Sequence, residues 1–204
     1  MRLAEVKAAY GERISIHWRA FPLIPDVKPG RVVTEKTRES RRRVAAEEPR
    51  ARFAAPEPGA ELPASSLPAL VAAKCAERQG ATPFERLHER LFAAHFGDNL
   101  DIGRADVLAR LVRESGLDPA RFERDYAAGD AYQAALTDYA EGAAWFGVSA
   151  VPAVIFDEKV SLVGAVPAER YRAIIDWILA GEPGGIVPLP ADGAEARATR
   201  PDTT

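Results

Sequence analysis

The chain has 204 residues, enough for one domain or for a small domain carrying a sizeable insertion. Hydrophobic residues make up 47% and charged residues 28%, ordinary for a soluble globular protein, and no run approaches the length of a membrane span. A net charge of −3 gives no reason to expect nucleic acid as a partner, and one cysteine, Cys75, excludes an internal disulfide framework and suits a reducing, cytoplasmic compartment.

Leu3, Val6, Ala9 and Tyr10 recur at helical spacing and stop at Gly11, which reads as the last turns of an amphipathic helix. Nothing in residues 1–13 has the apolar core of a signal peptide. Residues 13–19 then alternate polar and apolar, the pattern of a half-buried strand, and leave through Phe21-Pro22-Leu23-Ile24-Pro25. Residues 28–66 are polar and proline-rich, predicting a short helix and a long loop. The cluster Arg38, Arg41, Arg42 and Arg43 is interleaved with Glu35, Glu39, Glu47 and Glu48, so it reads as a solvated, ion-paired helix.

A helical block follows. One helix runs from a cap at Ser65 or Ser66 to Arg78, with Leu67, Leu70, Val71 and Cys75 on its inner side. Gly80 ends it, and Thr82-Pro83 opens the next as cap and first helical residue, with Phe84, Leu87, Leu91 and Phe92 facing inward. Further helices are expected over Asp101–Ser115, Asp118–Tyr126 and Tyr132–Phe146. Beyond Gly147, Ala153–Phe156 and Val160–Val163 predict a hairpin across Asp157-Glu158-Lys159. A last amphipathic helix spans Pro167–Ala180, and residues 182–204 are expected to be disordered. Pro152 stands where a strand begins, a position that needs no ladder donor.

Cys75 lies at helical spacing from Leu67 and Val71, which predicts a buried structural thiol. His88 and His95 are seven apart without a nearby third ligand, so no metal is expected, and His17 sits on the polar side of its strand.

The order of these elements resembles the DsbA-like branch of the thioredoxin superfamily, most closely its FrnE-like members. The resemblance rests on Trp18-Arg19-Ala20-Phe21-Pro22-Leu23, Gln79-Gly80, His88-Glu89-Arg90-Leu91-Phe92, Asp101-Ile102, Gly116-Leu117-Asp118, Gly147-Val148-Ser149-Ala150-Val151-Pro152 and Val163-Gly164. It implies an α/β thioredoxin-like fold in which residues 1–33 and 143–181 form the thioredoxin-like domain. Residues 34–142 would form a large all-helical insertion, with 182–204 as a tail. It also implies a thiol–disulfide oxidoreductase that uses no cofactor and takes protein thiols and disulfides, or glutathione, as partners. Val151 and Pro152 would be its substrate-binding residues.

Members of that family carry a first strand and a Cys-x-x-C at the head of the first long helix. Neither occurs here, so the chain as written is expected to be redox-inactive, with the cysteine pair encoded upstream of Met1. The missing strand would lie between residues 13–20 and 153–156. Each backbone group left buried and unpaired costs about 1–3 kcal/mol, against a domain stability of about 5–15 kcal/mol, which favours a truncated sequence. Two alternatives are a glutathione-dependent isomerase of the 2-hydroxychromene-2-carboxylate isomerase type and a non-catalytic thioredoxin-fold binding module.

Overall fold

The computed structural model describes residues 2–184 and the backbone of residues 196–198. The chain divides into two compact units, residues 1–19 with 138–204, and residues 20–137. The expected domain boundaries were 33/34 and 142/143.

The first unit begins with α1 (Arg2–Tyr10) and a short 3₁₀ turn at Gly11–Arg13. After the second half of α7 (Asp130–Phe146) come β1 (Ala153–Phe156), β2 (Val160–Val163), α8 (Ala168–Leu179) and β3 (Ala196–Ala198). β1 and β2 form the expected antiparallel hairpin, with Phe156 opposite Val160 and Ala153 opposite Val163. Its turn closes through Lys159 N–H to the Phe156 carbonyl at 2.9 Å, with Asp157 and Glu158 both in the left-handed region. The core gathers Val6 and Tyr10 of α1, Phe156, Val160 and Leu162 of the hairpin, and Tyr171, Ile174 and Ile175 of α8. Tyr10 is buried to its ring yet keeps its hydroxyl satisfied by donating to Asp176 Oδ1 at 2.7 Å. All three tryptophans of the chain, Trp18, Trp145 and Trp177, lie in this unit.

Two expectations need correction here. Residues 14–20 do not form a strand: Ile14 is extended (φ −132°, ψ 148°), but no ladder is assigned to the segment. Alternation gives a segment the right pleat, but a strand exists only when a neighbouring chain supplies the other half of each hydrogen bond. In the tail, residues 196–198 pair antiparallel with β2, with Val160 opposite Ala198. The rest of the expected disordered tail, beyond residue 184, lies outside the described residues.

The second unit is helical: α2 (Glu35–Glu47), α3 (Leu67–Glu77), α4 (Ala81–Phe92), α5 (Ala105–Glu114), α6 (Pro119–Ala128) and the start of α7. α3 is buried nearly all round, through Leu67, Ala69, Val71–Ala73, Cys75 and Ala76, and it packs against α4 and α6. Of the two serines expected to cap it, Ser65 does so: its Oγ accepts from Leu67 N–H at 3.1 Å and donates to the Ile24 carbonyl at 2.8 Å. α4 starts one residue before Thr82, at Ala81. Gly80, at φ +123°, both ends the α3 turn and precedes α4, leaving Thr82 and Pro83 inside the first turn. Leu87 and Leu91 face inward as expected, but Phe92 is 53% exposed.

From Ala93 to Gly97 the helix widens into a π-helical turn before Asp98. α5 buries Leu108, Leu111 and Val112, and α6 starts at Asp118, whose Oδ1 accepts from Arg121 N–H at 3.1 Å. Within this core the Cys75 thiol is inaccessible, and burial, with Asp125 nearby, pushes it up to about 12.

Two measurements follow from this core. At pH 8 the native Cys75 thiol should react with an aromatic disulfide reagent about three orders of magnitude more slowly than the urea-unfolded chain, because so little of it is thiolate. Leu111→Ala, which truncates a side chain with no exposed surface, should cost about 2–5 kcal/mol in chemical denaturation. Arg43→Ala, which removes only the exposed pair to Glu47, should cost under about 0.5 kcal/mol.

Candidate functional site

The loop carrying Val151 and Pro152 is set by the end of α7 and by the far end of the hairpin. α7 stops at Gly147, whose φ of +61° turns the chain, and Val148 N–H reaches back to the Gly142 carbonyl at 2.9 Å. Val148 is buried and pins the turn, while Ser149, Ala150, Val151 and Pro152 stand out in solvent. The Val151–Pro152 peptide is cis, and the Pro152 carbonyl accepts from Gly164 N–H at 2.8 Å. Gly164 lies at φ +105°, a conformation that an L side chain rarely adopts, so the acceptor's partner position calls for glycine.

The loop leads straight into β1, which is the outer strand of the sheet order β1-β2-β3. One side of β1 pairs with β2, and no strand is assigned to its other side among the described residues. Val154 and Ile155, which would point to opposite faces, are both only half-buried. Exposed apolar side chains of the same unit include Val151 at 41% in the loop itself, and Ile16 at 47%, Trp145 at 66% and Leu179 at 47% elsewhere. An exposed loop ahead of such a strand edge offers backbone donors and acceptors to an extended peptide.

Chemically the loop has no thiol of its own. The only histidine of this unit, His17, is exposed on the extended segment, and the unit contains no cysteine. Cys75, His88 and His95 all belong to the helical unit. No group of three or more His, Cys, Asp or Glu side chains among the described residues is arranged to hold a metal.

The sequence reading missed one polar feature of this unit. Asp138, with its side chain 5% exposed, accepts from Arg19 Nη1 at 3.2 Å and so ties the extended segment to α7. A spacing signal for it exists: Ala131, Ala135 and Asp138 recur at four and three residues, which puts the carboxylate on the buried stripe of α7. An acid on such a stripe needs a partner, and Arg19 supplies one.

Comparison with known proteins adds the ancestry of this arrangement. A crystal structure from Nitrosomonas europaea, provisionally assigned as a protein disulfide isomerase, superposes with a TM-score of 0.69. It is 15% identical, and the match covers 88% of this chain and 89% of that one, so the likeness is one of fold. No curated protein matches the sequence significantly. The family of DSBA-like thioredoxin domains matches residues 1–176. With its α-helices, small sheet and large helical insertion, the chain belongs to the DSBA-like thioredoxin domain family.

Proposed function

We propose that this chain carries the substrate-side half of a thiol–disulfide exchange site of the FrnE-like kind, with Val151 and Pro152 as its substrate-binding residues. The observation that supports this best is the exposed Val151–Pro152 loop at the head of the edge strand β1. A substrate segment lying along the loop would exchange backbone hydrogen bonds with Val151 in the manner of an added strand. The redox half requires two thiols. A thiolate attacks one substrate sulfur, releasing the other as a thiolate and forming a mixed disulfide. A second enzyme thiolate then attacks the enzyme sulfur of that mixed disulfide and displaces the remaining substrate sulfur as a thiolate. The enzyme dithiol is thereby oxidised and the substrate disulfide reduced, or the reverse in an oxidase.

Cys75 does not fit either role, being the one thiol of the chain and fully buried. In this reading the cysteine pair is supplied by residues other than these 204, and the chain alone is redox-inactive. A reducing, cytoplasmic location suits a chain whose single thiol is unpaired.

The 204-residue chain should show no insulin-disulfide reduction above the rate of the reductant alone. Extending the reading frame upstream should recover a Cys-x-x-C, and the longer protein should be active. In that protein Cys75→Ala should leave activity within about twofold. Val151→Ala, which keeps the backbone N–H, should stay within about threefold in kcat/KM, whereas Val151→Pro, which deletes it, should lower kcat/KM about tenfold, mainly through KM. No in-frame cysteine pair would overturn the oxidoreductase reading. A serine at the first of those positions together with calorimetric glutathione binding would favour the isomerase. A stable chain that binds peptides without any redox activity would be a binding module.

A further inference from the structure

Helix α2 is held to the helical unit in an unusual way. None of its residues is buried, and its inner face, Thr37, Arg38, Arg41, Val44 and Ala45, is only half-buried. Polar contacts attach it: Arg38 Nε donates to the Pro56 carbonyl at 3.1 Å, and Arg41 reaches the π-helical turn at Ala93–Gly97. His95 and Phe96 stand in the last turn before the helix ends at Gly97, where carbonyls have no intrahelical partner. Here the Phe96 carbonyl takes Ala54 N–H at 2.8 Å and Arg41 Nη1 at 3.3 Å, and Arg41 Nη1 also lies 3.4 Å from the His95 carbonyl. The guanidinium sits over the Phe96 ring, 4.3 Å from its centroid, and Phe96 in turn contacts Phe53 and Phe92.

The remaining contact sets a chemical condition. Arg41 Nη2 lies 3.2 Å from His95 Nε2. A guanidinium only donates, so Nε2 has to carry a lone pair and the imidazole has to be neutral. The other charged groups around His95 are Arg31, from the segment before α2, and Asp101, from the loop after the π turn, while its ring also bonds to the Leu100 carbonyl. Two cations and one carboxylate thus face the ring. Burial first, and then Arg41, hold its proton affinity below the ordinary histidine value, with Leu100 and Asp101 opposing.

We propose that α2 is an acid-released strap: protonation of His95 breaks its hold on Arg41, and α2 lifts away to uncover the Phe96 ring and the carbonyls of the π turn. The unstrapped state binds the proton more tightly than the strapped one. The strap is therefore fully held above the ordinary histidine pKa of about 6.5 and is progressively lost as pH falls below it.

The test is amide hydrogen exchange of the full chain at pH 7.5 and 5.5, corrected for intrinsic rates. The opening constant of α2 amides should rise across that interval, by at most about tenfold, the ceiling that one proton on a group of unstrapped pKa near 6.5 allows. His95→Gln, neutral at every pH and still able to accept from Arg41, should abolish the rise, and His88→Gln should keep it. In the unaltered chain, ring-proton NMR should find His95 titrating below the ordinary histidine value of about 6.5, which keeps the proposal falsifiable even if His95→Gln fails to fold. An α2 opening that is flat with pH, a rise that survives His95→Gln, or a His95 titrating at or above the ordinary histidine value would each overturn the proposal.

Discussion

A strand has two edges, and each row of backbone amides must find a partner. In the first unit this constraint governs almost everything of interest. β2 is paired on both sides, by β1 and β3, so it is the interior of the small sheet. β1 is paired on one side only, and the extended segment 14–20, although polar and apolar by turns, is not drawn into any ladder. The apolar core formed by α1, the hairpin and α8 closes through Val6, Tyr10, Leu162 and Ile174, with the partly buried Ile14 of that segment packed against it. Polar ties also hold the segment, through Arg19 on the buried Asp138 and Lys7 Nζ donating to the Ile14 carbonyl at 2.6 Å. The exposed Val151–Pro152 loop inherits its position from the same edge, since it is the chain entering β1.

The helical unit is organised by a different balance. α3 is an almost wholly apolar rod rich in alanine, which lets α4 and α6 approach closely and seals Cys75. α2 is its opposite, a charged helix with no buried side chain. The first is held by surface removed from water, which changes little with pH. The second is held by a guanidinium on backbone carbonyls and an imidazole, which depends on where protons are. One unit therefore contains elements whose stability answers to different variables.

Local pattern carried much of this into the sequence. The hairpin was legible because four-residue apolar runs flank Asp157-Glu158-Lys159, and both its strands pair within ten residues of each other. The helices were legible from apolar spacing, and α3's inner face fell on Leu67, Val71 and Cys75 as read. The misses are places where a residue's partner is distant or its backbone is unusual. Residues 14–20 have strand chemistry, yet pairing is decided by other chains. Thr82 has cap chemistry, but Gly80 can take a positive φ and so starts the helix sooner. The π turn has no periodic signature over five residues, so neither the role of Arg41 nor the outward turn of Phe92 could be read from spacing alone. For the site, the Val151–Pro152 pair was conspicuous in sequence. Asp138 was overlooked because a single acid on an apolar stripe weighs little until its partner, 119 residues away, is known.

The placement of Trp18, Trp145 and Trp177, all in the first unit, makes the molecule spectroscopically asymmetric. Indole emission reports the hairpin unit alone, whereas the helical unit is visible only through its tyrosines, phenylalanines and backbone ellipticity. Far-ultraviolet dichroism, to which both units contribute, can then be set against fluorescence on one sample. Coincident melts would mean that the two units unfold as one cooperative body, and separated melts would give each its own free energy.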